Sequence, residues 1–258
     1  MLLSAWLLVV IVGLTVMLSI GGMLLVRRWI PLAVLQSHNE VAGFIYAVVG
    51  VVYAVLLAFT AIVVWEQHTH AESVAAQEAS ELADLYRDAE AFPQETCELL
   101  RSQIRAYSQI VVEREWSAMA RGEVSLEAWA AFNRLWHTYQ AIRPVDSHES
   151  TWLGQSVERL NRLGDDRRNR LLRIGPAIPG MMWVVLLVTG AITIGFTFLF
   201  GTKSVGSQAV MVAALSATIA SVLFLIWILD RPFSGVAGIE PEAFRQLENI
   251  LAQWAKVQ

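Results

Sequence analysis

The chain has 258 residues, 55% of them hydrophobic and only 16% charged, with a formal net charge of −4. A soluble domain of ordinary composition carries about 25% charged residues, so a mean hydropathy of +0.49 points to a membrane protein. The acidic balance excludes a general nucleic-acid binder, which needs a basic face for phosphates. The single cysteine, Cys97, excludes an internal disulfide and any cysteine-rich metal site.

About 20 apolar residues in a helix cross a bilayer core, and four charge-free windows meet that length. Leu2 to Val26 ends at Arg27-Arg28, and Val41 to Trp65 ends at Glu66. Ala177 to Gly201 ends before Lys203, and Ser204 to Leu229 ends at Asp230-Arg231-Pro232. The first window lacks the basic start and small-residue cleavage site of a signal peptide and reads as a retained span. Trp29, Trp65, Trp183 and Trp227 fall near span ends, where an indole suits the headgroup layer. The fold class is all-α: four transmembrane helices in a 2 + 2 arrangement around a helical soluble insert. The divisions are 1–65 for the first two spans, 66–176 for the insert, 177–229 for the last two spans and 230–258 for an amphipathic tail.

In the insert the apolar residues recur at helical spacing. Span two meets no breaker before Pro93, so its helix is expected to continue to Ala91. Further helices are expected over Glu95 to Ala120, Leu126 to Ile142 with Ser125 as N-cap, and Thr151 to Ile174. The tail helix, Pro241 to Lys256, puts Phe244, Leu247, Leu251 and Trp254 on one face, a surface that could take a protein partner. Glu66 to Glu98 holds nine acids and one base, Arg87, whereas Arg159 to Arg173 holds six bases and two acids. Acidic and basic helices that face each other or water explain this polarity. The alternative is a divalent-cation site on the acidic helix, which lacks EF-hand spacing.

No nucleophile, phosphate-loop or dinucleotide motif is present, and an enzyme is not expected. Glu66/His70 and His68/Glu72 are spaced i,i+4, and either pair could hold a metal on one helix face. The two pairs point in different directions, so no cofactor is assigned beyond that divalent cation. In span two, Gly43, Ala47, Gly50, Ala54, Ala58 and Ala61 form a small-residue stripe, and Tyr46, Tyr53 and Thr60 form a hydroxyl stripe beside it. Small residues allow close helix approach in lipid, and polar groups there need a partner or water. Either these stripes pack on a sister helix, or copies of the helix surround a pore. In the second case Gly43, Tyr46, Gly50, Tyr53, Ala54 and Thr60 are the lining candidates. The spans contain no mid-membrane acid or base, which disfavours an ion-coupled transporter. Asp230 and Arg231 at the last exit could form a salt bridge that orients the tail, or a ring of charges at a pore mouth.

Several stretches together carry a family resemblance. They are His38-Asn39, the run Gly43 to Phe59, Glu78-Ala79 with Leu82 to Arg87, Glu115-Trp116 with Met119, and Leu229-Asp230-Arg231-Pro232-Phe233-Ser234-Gly235. The pattern resembles the bacterial and plant bestrophin-like domain proteins over nearly the whole chain. That resemblance implies a layout shared with bestrophins, homopentameric anion channels with cytoplasmic helical domains and calcium control. The aromatic neck pattern and acidic calcium clasp of true bestrophins are not found here. The expectation is a self-associating, bestrophin-like ion channel with span two at its axis, pentameric by analogy, and the alternative is a non-conducting scaffold or sensor that binds a protein through insert and tail. The expected location is a bacterial inner membrane. Arg27 and Arg28 beside the first span would put the insert outside, whereas six basic residues near the membrane on the insert side against three on the loop side favour a cytoplasmic insert and cytoplasmic termini.

Overall fold

The computed structural model describes residues 2–257, and the described residues form helices joined by turns and short loops. The chain divides into two compact units, residues 1–66 with 177–230, and residues 67–176 with 231–258.

The first unit holds four helices long and apolar enough to cross a membrane. α1 (Leu2–Trp29) is followed by the short α2 (Leu32–Ser37) and by α3 (Asn39–Asp88), whose N-terminal half belongs to this unit. α8 (Gly180–Phe196) and α9 (Val205–Leu229) complete it. α3 runs unbroken for 50 residues, roughly 75 Å at 1.5 Å per residue, because no proline or glycine interrupts it after Gly50. The third span begins at Gly180, three residues later than its apolar run. Pro179 fixes φ and suits the position just before a helix.

Unit one is pinned at one end by polar side chains serving loop backbone. Asn39 donates to the Gly201 carbonyl at 2.8 Å and accepts from the Gly201 N–H at 2.9 Å. A Cβ on Gly201 would stand 2.8 Å from the backbone nitrogen of Gln36, so only glycine fits this crossing. Buried Gln208 donates to the Phe200 carbonyl at 2.6 Å and accepts from Arg27 at 2.8 Å.

The second unit contains the C-terminal half of α3, then α4 (Gln94–Ile110), a π-helical turn at Val111–Glu115, and α5 (Trp116–Ala120). α6 (Leu126–Ala141) and α7 (Ser147–Leu171) follow, and α10 (Glu242–Val257) packs in from the C-terminus. Ser125 caps α6 through the Ala128 N–H. α7 starts four residues ahead of the expected Thr151, because Asp146 accepts from the Glu149 N–H while Glu149 accepts from the Val145 N–H. This reciprocal arrangement satisfies two donors otherwise orphaned at a helix start. Leu82, Leu85, Leu100, Ile104, Leu135, Leu160 and Leu163 form the core with Phe244, Leu247 and Leu251 of α10. The apolar face of the tail helix is therefore covered within its own unit, which corrects the expectation of a free docking surface there.

Candidate functional site

The membrane half of α3 has two opposite faces. On the packed face lie Tyr53, Leu57, Thr60 and Val64. The Tyr53 hydroxyl donates to the Leu186 carbonyl of α8 at 3.3 Å, and Thr60 donates to the Leu56 carbonyl one turn back. Gly190 of α8 makes room for the phenol, since a Cβ there would stand 2.6 Å from the Tyr53 oxygen. Tyr46 is half-buried against Phe196 and Phe200, with centroids 5.9 and 5.7 Å away. The hydroxyl stripe thus faces the protomer's own helices. Tyr53 and Thr60, expected among the lining candidates, are buried within the protomer. The physical reason is that a hydroxyl in lipid needs an acceptor, and the nearest are carbonyls of the same protomer.

The opposite face presents Phe44, Val48, Val51, Val55 and Ile62, all well exposed. Their spacings of four, three, four and seven keep them on one line of a helix with 3.6 residues per turn. Sequence reasoning missed this line because apolar residues surround the whole helix in the membrane and give no directional signal. Gly43, Ala47, Gly50, Ala54 and Ala58 lie on its flank. A Cβ at Gly43 or Gly50 would meet nothing within 4 Å, so this small-residue edge is unused within the protomer.

Asp230 caps the meeting of two spans. Its backbone carbonyl accepts from the Ala177 N–H at 2.7 Å, and its carboxylate accepts from the Ile178 N–H at 3.0 Å and the Trp183 indole at 3.2 Å. The carboxylate therefore serves the backbone and an indole, in place of the expected salt bridge to Arg231, which is exposed. Trp183 is an anchor for this carboxylate, while Trp29, Trp65 and Trp227 remain exposed. Glu66, His70 and Glu72 are exposed and His68 is half-buried. Among the described residues no group of three or more His, Cys, Asp or Glu is arranged to hold a metal ion.

In the second unit the acidic and basic runs meet. Glu81 accepts from Arg162 at 2.8 Å, and Asp88 accepts from Arg159 at 2.9 Å. At the centre are four fully buried charges. Arg167 grips both oxygens of Glu115 at 2.6 and 2.7 Å. Arg170 donates to Glu78 at 2.6 and 3.0 Å and to Glu115 at 2.7 Å. Tyr107 donates to Glu78 at 2.6 Å and accepts from Arg167 at 3.0 Å. The guanidiniums lie over rings, Arg167 4.8 Å from Trp129 and Arg170 5.3 Å from Trp116. Burial alone disfavours the charge on Arg170, but Glu78 and Glu115 outweigh it and hold its pKa above the ordinary value. Burial, then Glu78, pushes the Tyr107 phenol well up. The π turn at Val111–Glu115 inserts an extra residue at the point where Glu115 enters the cluster, the position at which such turns often serve a site. Asp166, beside the cluster, is pushed up to about 6 by burial, with Glu78 and Glu81 adding to the shift.

The family described as Bestrophin-like domain matches residues 13–244. A crystal structure of a bacterial bestrophin homologue from Klebsiella pneumoniae is similar at 14% identity with a TM-score of 0.72, covering 95% of this chain and 97% of that chain. A singly mutated form of that homologue gives 13% identity and a TM-score of 0.73 over 96% of this chain and 98% of that chain. At such identities the likeness shows the fold. No curated protein matches the sequence.

Proposed function

The chain belongs to the bestrophin-like domain family, and from that premise we propose that it is a homo-oligomeric ion channel whose throat is formed by the outward face of α3. The observation that carries this reading is the two-faced membrane half of that helix. Its polar side chains are turned to α8, while Phe44, Val48, Val51, Val55 and Ile62 stand free on one line. The flanking edge of Gly43, Ala47, Gly50, Ala54 and Ala58 allows a sister helix to approach closely. Around a shared axis, the apolar line makes a constriction that conducts only when wetted, a gate that needs no mid-membrane charge. Gly43, Gly50 and Ala54 keep a place at the contacts between copies, and Tyr46 supports the helix from behind.

By analogy with bestrophins the assembly has five copies in a bacterial cell membrane, with insert and termini in the cytoplasm. That α10 packs its apolar side inward supports the channel reading over a scaffold that docks its partner on the tail. The test is ion flux in liposomes containing the purified oligomer, native and with Val51→Thr or Val55→Thr. Native flux that rises several-fold in the threonine variants supports the reading. An assembled, reconstituted oligomer without flux in any form overturns it.

A further inference from the structure

The membrane unit carries an apolar groove between α1, α8 and α9, with a volume of about 510 Å³. Its floor is made of Ile219, Ala220 and Phe224 of α9, all buried. Its rims are open, with Leu187 of α8 55% exposed and Trp227 of α9 51% exposed. Two indoles mark one end. Trp183 lies in the first turn of α8 and Trp227 in the last turn of α9, and these helix ends meet where the Asp230 carbonyl accepts from the Ala177 N–H. From there the groove follows α8 to Ile194, eleven residues on, or roughly 16 Å along the helix. On the other two helices it ends near mid-span, at Ile219 of α9 and Thr15 of α1. The groove thus starts at a headgroup layer and runs through half of a bilayer core of about 30 Å.

We propose that this groove holds one acyl chain of a bilayer phospholipid. Apart from the two indoles, Thr15 is the only lining residue with a polar side-chain atom, and its hydroxyl is spent on the Ile11 carbonyl at 2.8 Å. The Trp183 N–H is likewise spent on the Asp230 carboxylate. The groove therefore offers no site for an ion, and an apolar void of this kind stays dry. Left empty, it would deprive its walls of dispersion partners on one side. In a membrane the material at hand is hydrocarbon, and the depth of the groove matches one leaflet. A helix of a second copy would need a groove that runs the full core. In the proposed assembly, moreover, copies meet through the outward face of α3, on the far side of that helix from α8.

The test is native mass spectrometry of the purified full-length protein, washed free of lipid in detergent and then given dipalmitoyl or dioctanoyl phosphatidylcholine. The expected result is about one dipalmitoyl lipid retained per protomer. Several-fold less of the dioctanoyl lipid should be kept, because its shorter chains leave much of the groove wall without contacts. Ala191→Phe puts a ring into the groove from an exposed position and should abolish retention. Val188→Phe adds the same ring at an exposed position of α8 outside the groove and should retain lipid as the native protein does. No retained lipid on the native protein, equal retention of the two lipids, or native retention in Ala191→Phe overturns the proposal. If the first of these comes with an Ala191→Phe variant that falls apart into protomers, the groove belongs to a second copy. The comparison of the two lipids on native protein decides the matter even if Ala191→Phe fails to fold. The readout needs no ion flux, so its failure leaves the channel reading standing.

Discussion

Glu115→Gln tests how the second unit is held together. In the native chain Glu115 accepts three N–H bonds, two from Arg167 and one from Arg170, and all three side chains are fully buried. The four charges sum to zero. Glutamine keeps the shape but removes one negative charge, leaving two guanidiniums to share Glu78. It also directs an NH2 group at donors that have no acceptor to spare. Breaking one partner of a buried pair costs about 3–5 kcal/mol, and a domain of this size shifts its Tm by roughly 2–4 °C per kcal/mol. The variant in detergent should therefore melt about 10 °C or more below the native protein by intrinsic tryptophan fluorescence, since Trp116 and Trp129 lie against the two guanidiniums. Arg167→Met should cost a similar amount, because it leaves Glu115 underpaired. The double variant restores neutrality and should lose clearly less than the sum of the two, a coupling of about 1–3 kcal/mol. A Glu115→Gln melting point within about 3 °C of native, or strictly additive losses, would refute the assignment of this quartet as the unit's organising charge network.

Three further outcomes follow from single contacts. Gly190→Ala should destabilise the membrane unit by about 1–3 kcal/mol, and Tyr53→Phe should recover much of that loss, because the phenol oxygen is the atom 2.6 Å from the new methyl; thermal melts of the single and double variants decide it. Asp230→Asn keeps one acceptor for two donors, Ile178 N–H and the Trp183 indole, so it should lower stability by about 1–3 kcal/mol and leave ion preference unchanged in bilayer recordings. Asp166 has its pKa raised to about 6, first by burial and then by Glu78 and Glu81. A carboxyl raised on folding contributes stability that is present below its unfolded value and lost as pH rises through about 6. Asp166→Asn should thus stabilise the protein by roughly 1 kcal/mol above pH 7, after allowance for its partial exposure, and make no gain at pH 4; a melting series across that range checks the sign.

The sequence made the helices legible because their limits are set by short-range chemistry. Charge-free runs end at Arg27, Glu66, Lys203 and Asp230, Pro93 stops the long α3, and Ser125 caps α6. The early start of α7 was also encoded locally, in Asp146 and Glu149, although the apolar spacing begins only later. What spacing could not reveal is which side of a membrane helix is packed. In water the polar face of a helix marks the outside, so periodicity carries direction. In lipid that logic reverses. Tyr53 and Thr60 turn inward because the protomer offers carbonyl acceptors, and valines turn outward because the bilayer costs them nothing. A hydroxyl stripe is thus a marker of internal packing unless water is already present.

Part of the family resemblance, Glu78, Glu115, Trp116 and Met119, is gathered in the second unit's interior. Glu78, Glu115, Trp116 and Met119 surround Arg170, whose Nη1 lies 2.8 Å from the Met119 sulfur. Their chemistry looks like that of a site, with paired carboxylates, aromatic faces and a strongly perturbed phenol. Yet, apart from Arg167 Nε, which has no hydrogen-bond partner among the described residues, the donors and acceptors answer one another within the cluster. What they specify is the register among α3, α4 and α7, since a one-residue slip of any of these helices would strand a buried charge. The charges that look catalytic thus hold the helices of this unit in one register.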